Sequence, residues 1–327
     1  MSIYVPGASP VIPSGAKESL SHDIADYPDG IVLPIDKPYR WTSADVIRKV
    51  KFAAFRHFRK KNLKVGHAGT LDPLATGVLL VCIGPACKRA QEFQDHDKEY
   101  VAGIRFGATT PSYDLEKEVD RTFPYDQVTE EAVRAVLPSF LGPQEQVAPL
   151  FSAKSVDGVR AYEMARKLYR NAQKGILDPD FDAAALETLH RSRITISELE
   201  LLGFMEASAE TPRTNFFSPE KRSKKSCPTP DAAATCSQIV ISSGAEGGVE
   251  KSASSRINVA DTSSLGLPEA RIRIACSKGT YIRAFARDLG EALGTGAHLS
   301  GLVRTKTGAF QLEDALSLEE ALALLAD

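Results

Sequence analysis

A chain of 327 residues has room for one large domain or two ordinary ones. With 43% hydrophobic and 25% charged residues it has the composition of an ordinary soluble globular protein, and no segment has the length and apolarity of a membrane-spanning helix. The formal net charge of -2 gives no global electrostatic case for nucleic acid. The five cysteines (Cys82, Cys87, Cys227, Cys236, Cys276) form neither a C-x-x-C pair nor a zinc-spaced cluster, which points to a reducing compartment and no metal.

Residues 1–29 are rich in Pro, Gly, Ser and Asp and are expected to form a disordered tail. They lack the apolar core of a secretory signal, and they are poor in arginine while containing acids, unlike a transit peptide. Thr42 followed by Asp45 has the spacing of a capping box. Val46, Ile47, Val50 and Ala54 then predict an amphipathic helix. From Arg48 to Lys64 the chain carries Arg48, Lys49, Lys51, Arg56, Arg59, Lys60, Lys61 and Lys64 with no acid among them. Such a patch either neutralises phosphates or is a plain solvated face. Its position favours RNA contact, because it runs directly into the most informative stretch of the sequence.

That stretch is Gly66-His67-Ala68-Gly69-Thr70-Leu71-Asp72-Pro73-Leu74-Ala75-Thr76-Gly77, followed by the apolar run Val78 to Ile83. The run reads as a buried strand, too short for a typical helix. The glycines permit unusual backbone angles and close approach of a ligand. Pro73 biases Asp72 toward extended backbone. One carboxylate therefore sits on a loop anchored by a rigid element, where catalytic groups often lie. An Asp-Pro pair is also an ordinary turn starter, and a lone His67 is an ordinary loop or core histidine.

Further along, Tyr100 to Phe106 reads as a strand. Thr129 caps a helix to Leu137, and Gly158 to Leu168 reads as another helix. Ile194 to Leu202 is a predicted strand. Residues 171–190 read as a small insertion and 206–268 as a long disordered one, rich in Ser, Ala, Thr, Gly and Lys. Arg271 to Ser277 is a predicted strand. A helix follows with Ile282, Phe285, Leu289 and Leu293 on one face, Arg283 on the opposite flank, and its end at Gly294. A short helix from Leu316 to Leu325 closes the chain.

Six ordered segments resemble the TruB family of pseudouridine synthases. The Asp72 loop resembles its signature G-H-x-G-x-L-D-P-x-A-x-G. Ile35-Asp36-Lys37-Pro38 with Trp41-Thr42-Ser43 resembles K-P-x-G-x-T-S. Asp97-Lys98-Glu99-Tyr100 resembles D-K-x-Y. Ala148 to Lys154, with Gly158, Arg160, Tyr162, Ala165 and Arg166, resembles P-x-x-S-A-x-K…G-x-R-x-Y…A-R. Cys276 to Arg283 resembles the strand-to-helix motif, and Leu302-Val303-Arg304-Thr305 the late L-x-R-T. Two positions depart from the pattern. Arg40 stands where glycine is usual, and Pro111 stands in Thr110-Pro111-Ser112-Tyr113-Asp114 where an acid is usual.

The resemblance implies an α+β fold: the pseudouridine synthase fold, a central mixed, mostly antiparallel sheet flanked by helices. One catalytic domain over 30–327, interrupted at 171–190 and 206–268, is expected. It implies isomerisation of uridine to pseudouridine in RNA without cofactor, after the target base is flipped out. Asp72, Tyr100 and Arg283 are the implied catalytic residues. Asp72 acts on the flipped nucleotide, Arg283 supplies a cation that keeps it ionised, and Tyr100 stacks or removes the C5 proton. Lys37, His67, Tyr281 and Leu302 are the implied substrate-binding residues. The chain ends soon after Arg304, so no PUA domain is expected. That favours a standalone, monomeric enzyme acting on uridine 55 of the tRNA T-arm, and on messenger RNA sites of similar loop, over a guide-RNA-dependent dyskerin-type enzyme. A tRNA-folding chaperone is the non-enzymatic rival. The insertions suggest a eukaryotic, fungal-like version, and Lys221-Arg222-Ser223-Lys224-Lys225 has the composition of a nuclear localisation signal. Nucleus, mitochondrion and cytoplasm all stay open.

Overall fold

The apolar run after the Asp72 loop sets the architecture around that loop. In the computed structural model, which describes residues 20–149, 155–156, 159–160, 191–208, 257 and 259–326, it belongs to strand β3, Ala75–Ile83, buried at every position. The strand begins three residues before the predicted start because Gly77 takes φ 101°, which lets the chain stay extended there. A Cβ at Gly77 would lie 2.2 Å from the backbone oxygen of Arg304, so only glycine fits this crossing.

The chain divides into two units, one holding residues 20–94, 257 and 303–326 and the other most of the remainder. In the first, β1 (Ile31–Lys37) runs antiparallel to β3, from Ile31 opposite Ile83 to Lys37 opposite Gly77. β2 (Val65–Ala68) also pairs antiparallel with β3. Val32, Ala68, Val78, Leu80, Cys82 and Phe93 form the core beneath them. Helix α1 (Ser43–His57) starts at the predicted capping box: Thr42 Oγ1 accepts from Asp45 N at 3.1 Å and Asp45 Oδ2 accepts from Thr42 N at 3.1 Å. Val46, Val50 and Ala54 are fully buried, as their spacing requires. The closing helix spans Leu318–Ala323 within the predicted range, and Leu316 joins β1 by backbone bonds to Asp36 and Pro34.

In the second unit, β4 (Lys98–Phe106), β11 (Glu269–Cys276), β10 (Arg191–Met205) and β7 (Gly142–Val147) pair in that order, each antiparallel to the next. The predicted strands at Tyr100, Ile194 and Arg271 are all present. The helix Ile282–Ala292 buries Ile282, Phe285 and Leu289. Arg283, on the flank opposite that stripe, is buried as well, at 5% exposure. Strand β12 (Ala297–Thr307) contributes Ala297–Leu302 here and Val303–Thr307 to the first unit. A buried ion pair staples this unit: Arg105 Nε and Nη2 reach Glu269 Oε2 at 2.9 and 2.8 Å, while Arg105 Nη1 donates to Thr262 Oγ1 at 2.6 Å.

Three expectations need correction. The N-terminal tail is not disordered up to Asp29: Leu20 and Ile24 are buried, and a 3-10 turn spans Ile24–Asp26. Those two apolar residues anchor it together with the ring contacts of His22 with His57 and Tyr27 with Phe58. The long insertion does not extend to Pro268. Ala260, Thr262 and Leu267 are buried, and Ala260 N donates to Leu115 O at 2.8 Å. Small and polar anchors of this kind carry no apolar signal in the sequence. The predicted helix does not begin at Gly158, since Val159–Arg160 pair with Ser155–Val156 in a short hairpin. The rest of that helix, the 171–190 segment and residues 209–256 lie outside the described residues.

Candidate functional site

The Asp72 loop bridges β2 and β3 and is held by side chains from three elements of its own unit. Ser43, the first residue of α1, accepts a hydrogen bond from Leu71 N at 3.0 Å and donates one to Leu71 O at 3.1 Å. Asp36 Oδ1 accepts from Gly77 N at 2.9 Å. The turn closes when Ala75 N donates to Asp72 O at 3.1 Å. Leu71 and Leu74 are buried and Asp72 is half-buried, so the loop's apolar residues face inward while the carboxylate keeps partial access to solvent.

Two buried cations complete the grip. Lys37 is fully buried at the end of β1, and its ammonium donates to Trp41 O at 2.6 Å, Pro38 O at 3.0 Å and Pro73 O at 3.2 Å. An ammonium has three donors, and here all three are used. Burial pulls the Lys37 pKa down from 10.5 to about 7, against the opposing pull of the Asp72 and Asp36 carboxylates. Arg304 is 1% exposed. Its guanidinium donates to Val78 O at 2.7 Å and Gly69 O at 3.1 Å, with a longer contact to Thr70 O at 3.5 Å. One cation therefore holds the carbonyl just after Asp72, and the other holds carbonyls just before it.

The role expected of Lys37, holding RNA, does not fit this placement: a fully buried ammonium with its donors spent on carbonyls has none left for a phosphate. His67 differs from Lys37 in its placement. It is half-buried, and burial together with Arg304 lowers its pKa, so the ring is neutral near pH 7. Among the described residues no group bonds its buried Nδ1. Arg304 is the residue that the sequence reading missed. It stands in the L-x-R-T segment, where the resemblance gives a role to Leu302 alone. Its sequence neighbours Leu302, Val303, Thr305 and Lys306 carry no signal of that burial.

The second unit holds Tyr100, Tyr281, Arg283 and Leu302. Tyr100 is 8% exposed on β4, opposite Ile274 of β11. Tyr281 caps the helix start and is fixed by Gln146, whose Oε1 accepts from Tyr281 N at 2.8 Å and whose Nε2 donates to Tyr281 O at 3.1 Å. Leu302 is half-buried. Arg283 reaches back to the departing segment: Nη1 donates to Ser112 O at 3.1 Å, and Nε lies 3.8 Å from Asp114 Oδ2. Asp114 Oδ1 accepts from Ser112 Oγ at 2.6 Å and Glu116 N at 2.9 Å, which fixes the carboxylate that faces Arg283. Pro111 thus replaces an acid without loosening this segment.

Comparison with known proteins gives the family. Residues 56–175 match the model of the TruB family pseudouridylate synthase N-terminal domain, and residues 283–327 match that of the tRNA pseudouridylate synthase B C-terminal domain. Proteins named tRNA pseudouridine synthase B are similar over nearly the whole chain. The one from Bacteroides thetaiotaomicron is 42% identical over 90% of this chain and 92% of its own. That from Phocaeicola vulgatus is 40% identical over the same shares, and that from Deinococcus radiodurans 37% over 88% and 77%. The chain belongs to the TruB family of pseudouridine synthases. A solved Cbf5-Nop10-Gar1 complex shares the fold, with a TM-score of 0.50 at 20% identity, covering 98% of this chain and 62% of that one. The family model over residues 56–175 takes in the Asp72 loop held by Lys37 and Arg304. Among the described residues, no group of His, Cys, Asp and Glu is arranged to hold a metal, and no helix is long and apolar enough to cross a membrane.

Proposed function

We propose that this protein isomerises a uridine of tRNA to pseudouridine, at position 55 of the T-arm, with Asp72 as the reacting carboxylate. The reaction breaks the C1′–N1 bond, turns the uracil and forms a C1′–C5 bond, with no net redox change. The observation that carries the reading is the fixed, half-buried placement of Asp72 in the family's signature loop, between two cations bound to the adjacent carbonyls. Similarity to the bacterial tRNA pseudouridine synthases B supports the substrate class. A flipped uridine costs a few kcal/mol to extrude, and stacking on an aromatic ring returns about 1–3 kcal/mol. Tyr281 and Tyr100 are assigned to that contact, Tyr100 also to removing the C5 proton, and Arg283 to supplying a fixed cation. Leu302 is assigned to the apolar wall against the base, and His67 to the RNA. Action on messenger RNA with a T-loop-like fold, a monomeric state, and residence in nucleus, mitochondrion or cytoplasm belong to the same proposal. Pseudouridine mapping of total RNA from cells lacking the protein tests the target set.

The assignment of Asp72 is tested with Asp72→Asn, which keeps the shape of the side chain and removes its charge. The variant is expected to bind tRNA while forming no pseudouridine. Pseudouridine formation within tenfold of the parent protein would sink the assignment.

A further inference from the structure

The sequence put eight cations between Arg48 and Lys64 without an intervening acid, and the structure exposes every one of them. Arg48 pairs with Asp45 at 2.7 Å, which leaves the run strongly positive. In the middle of it stands Phe52, 66% exposed, the most exposed large hydrophobic side chain among the described residues. On a helix, residues three and four apart are neighbours. Phe52 is therefore ringed by Arg48 at i-4, Lys49 at i-3 and Arg56 at i+4. Lys51 lies 5.4 Å from the ring of the next aromatic, Phe55. Among the described residues nothing in the fold explains an exposed phenylalanine there, since the opposite face of α1 carries the buried stripe Val46, Val50 and Ala54.

Cations that interleave with exposed aromatic rings are the pattern of a surface that binds phosphates and stacks bases. Distance decides what this surface reaches. The start of α1 is tied to the loop by the Ser43–Leu71 bonds. Phe52 lies nine residues further along the helix, about 13 Å away at 1.5 Å per residue. That exceeds the size of one flipped nucleotide. We infer that the exposed face of α1 is an accessory docking surface for tRNA: its cations hold backbone phosphates, and Phe52 stacks on a base, at nucleotides other than the one being isomerised. The inference rests on the function proposed above, because tRNA is the partner that supplies both phosphates and unpaired bases.

The surface sets affinity and leaves the chemical step alone. Each phosphate contact contributes about 0.7–0.9 to the dependence of log affinity on log salt. The triple variant Lys49→Ala, Lys51→Ala, Arg56→Ala is expected to raise KM for tRNA at least tenfold at low salt. It should lower the salt slope of KM by about 2–3. Phe52→Ala is expected to raise KM about fivefold to a hundredfold at unchanged salt slope, and Phe52→Tyr to restore it. Turnover at saturating tRNA should stay within about twofold in all three. Melting temperatures, measured in parallel, are expected to match the parent because every altered side chain is exposed or half-buried on the helix surface. A KM and salt slope equal to the parent's in the folded triple variant would overturn the inference and make α1 a solvated face. So would lost turnover with KM unchanged. Failure of the parent itself to form pseudouridine in tRNA would instead overturn the proposed function, so the two failures are separable.

Discussion

Lys37 makes the burial around Asp72 measurable as a function of pH. Its pKa stands at about 7 in the folded protein against 10.5 as the ordinary value. Below about pH 7 the folded and unfolded chains both hold the proton, and the cost of burying the charge is present in full. That cost is about 5 kcal/mol at 1.36 kcal/mol per tenfold difference. Between about pH 7 and 10.5 the unfolded chain binds the proton and the folded chain does not, so stability rises with pH. Integrating the linkage relation from about pH 6 to about pH 9 gives a gain of about 2.5 kcal/mol. Lys37→Met lacks the titration while other groups stay common to both proteins. Its absolute stability mixes two opposed effects: relief of the buried charge, and loss of the donor to Pro38 O, Trp41 O and Pro73 O, each about 1–3 kcal/mol if left unpaired. The pH dependence of the difference isolates the proton. Urea unfolding of both proteins across this range is the assay. The parent should gain about 2.5 kcal/mol on the variant from about pH 6 to 9. A difference constant within about 0.5 kcal/mol would refute the claim that Lys37 is buried as a strained cation.

Two further substitutions test the grip on the loop. Arg304→Lys removes the planar fork that spans Val78 O and Gly69 O. A displacement of Asp72 by about 1 Å costs on the order of a hundredfold in rate, so kcat is expected to fall tenfold or more with little change in KM for tRNA. An unchanged kcat in the folded variant would show that the loop holds its shape without the guanidinium. Gly77→Ala places a Cβ 2.2 Å from Arg304 O on a residue with φ 101°. It should cost at least about 3 kcal/mol of stability, and a melting temperature within about 2 °C of the parent would contradict that.

What the sequence reveals about this chain divides by the range of the interaction involved. The capping box at Thr42 and Asp45, the apolar stripe of α1 and the buried run after Asp72 are local patterns, and each reappears in the structure at the expected residues. Arg40 is also a local matter. It takes φ 63°, the left-handed region, which explains why the family pattern has glycine there. The cost of an arginine in that region is about 1–2 kcal/mol, offset here by a hydrogen bond from Arg40 Nη2 to Ile257 O at 2.5 Å. Residue pairs far apart in sequence escaped. Arg304 meets the carbonyls of Val78 and Gly69 across separations of 226 and 235 residues, and no motif states which backbone oxygen an arginine will meet. The burial of Lys37 escaped for the same reason: its sequence marks a cation beside the Asp72 loop, and only the pairing of β1 with β3 shows that it points inward.

This long-range pattern also bears on mechanism. Lys37 and Arg304 act on Asp72 through the carbonyls of Pro73, Gly69 and Thr70 on either side of it. A loop held only through its reacting carboxylate would lose its support whenever that carboxylate engaged the nucleotide. Held through flanking carbonyls, its backbone keeps hydrogen bonds that the reaction proposed for Asp72 does not have to break. Preorganisation of that kind requires supports that do not themselves react. Arg304 meets the condition through the fixed fork of its guanidinium donors, whereas Lys37 meets it fully only while protonated.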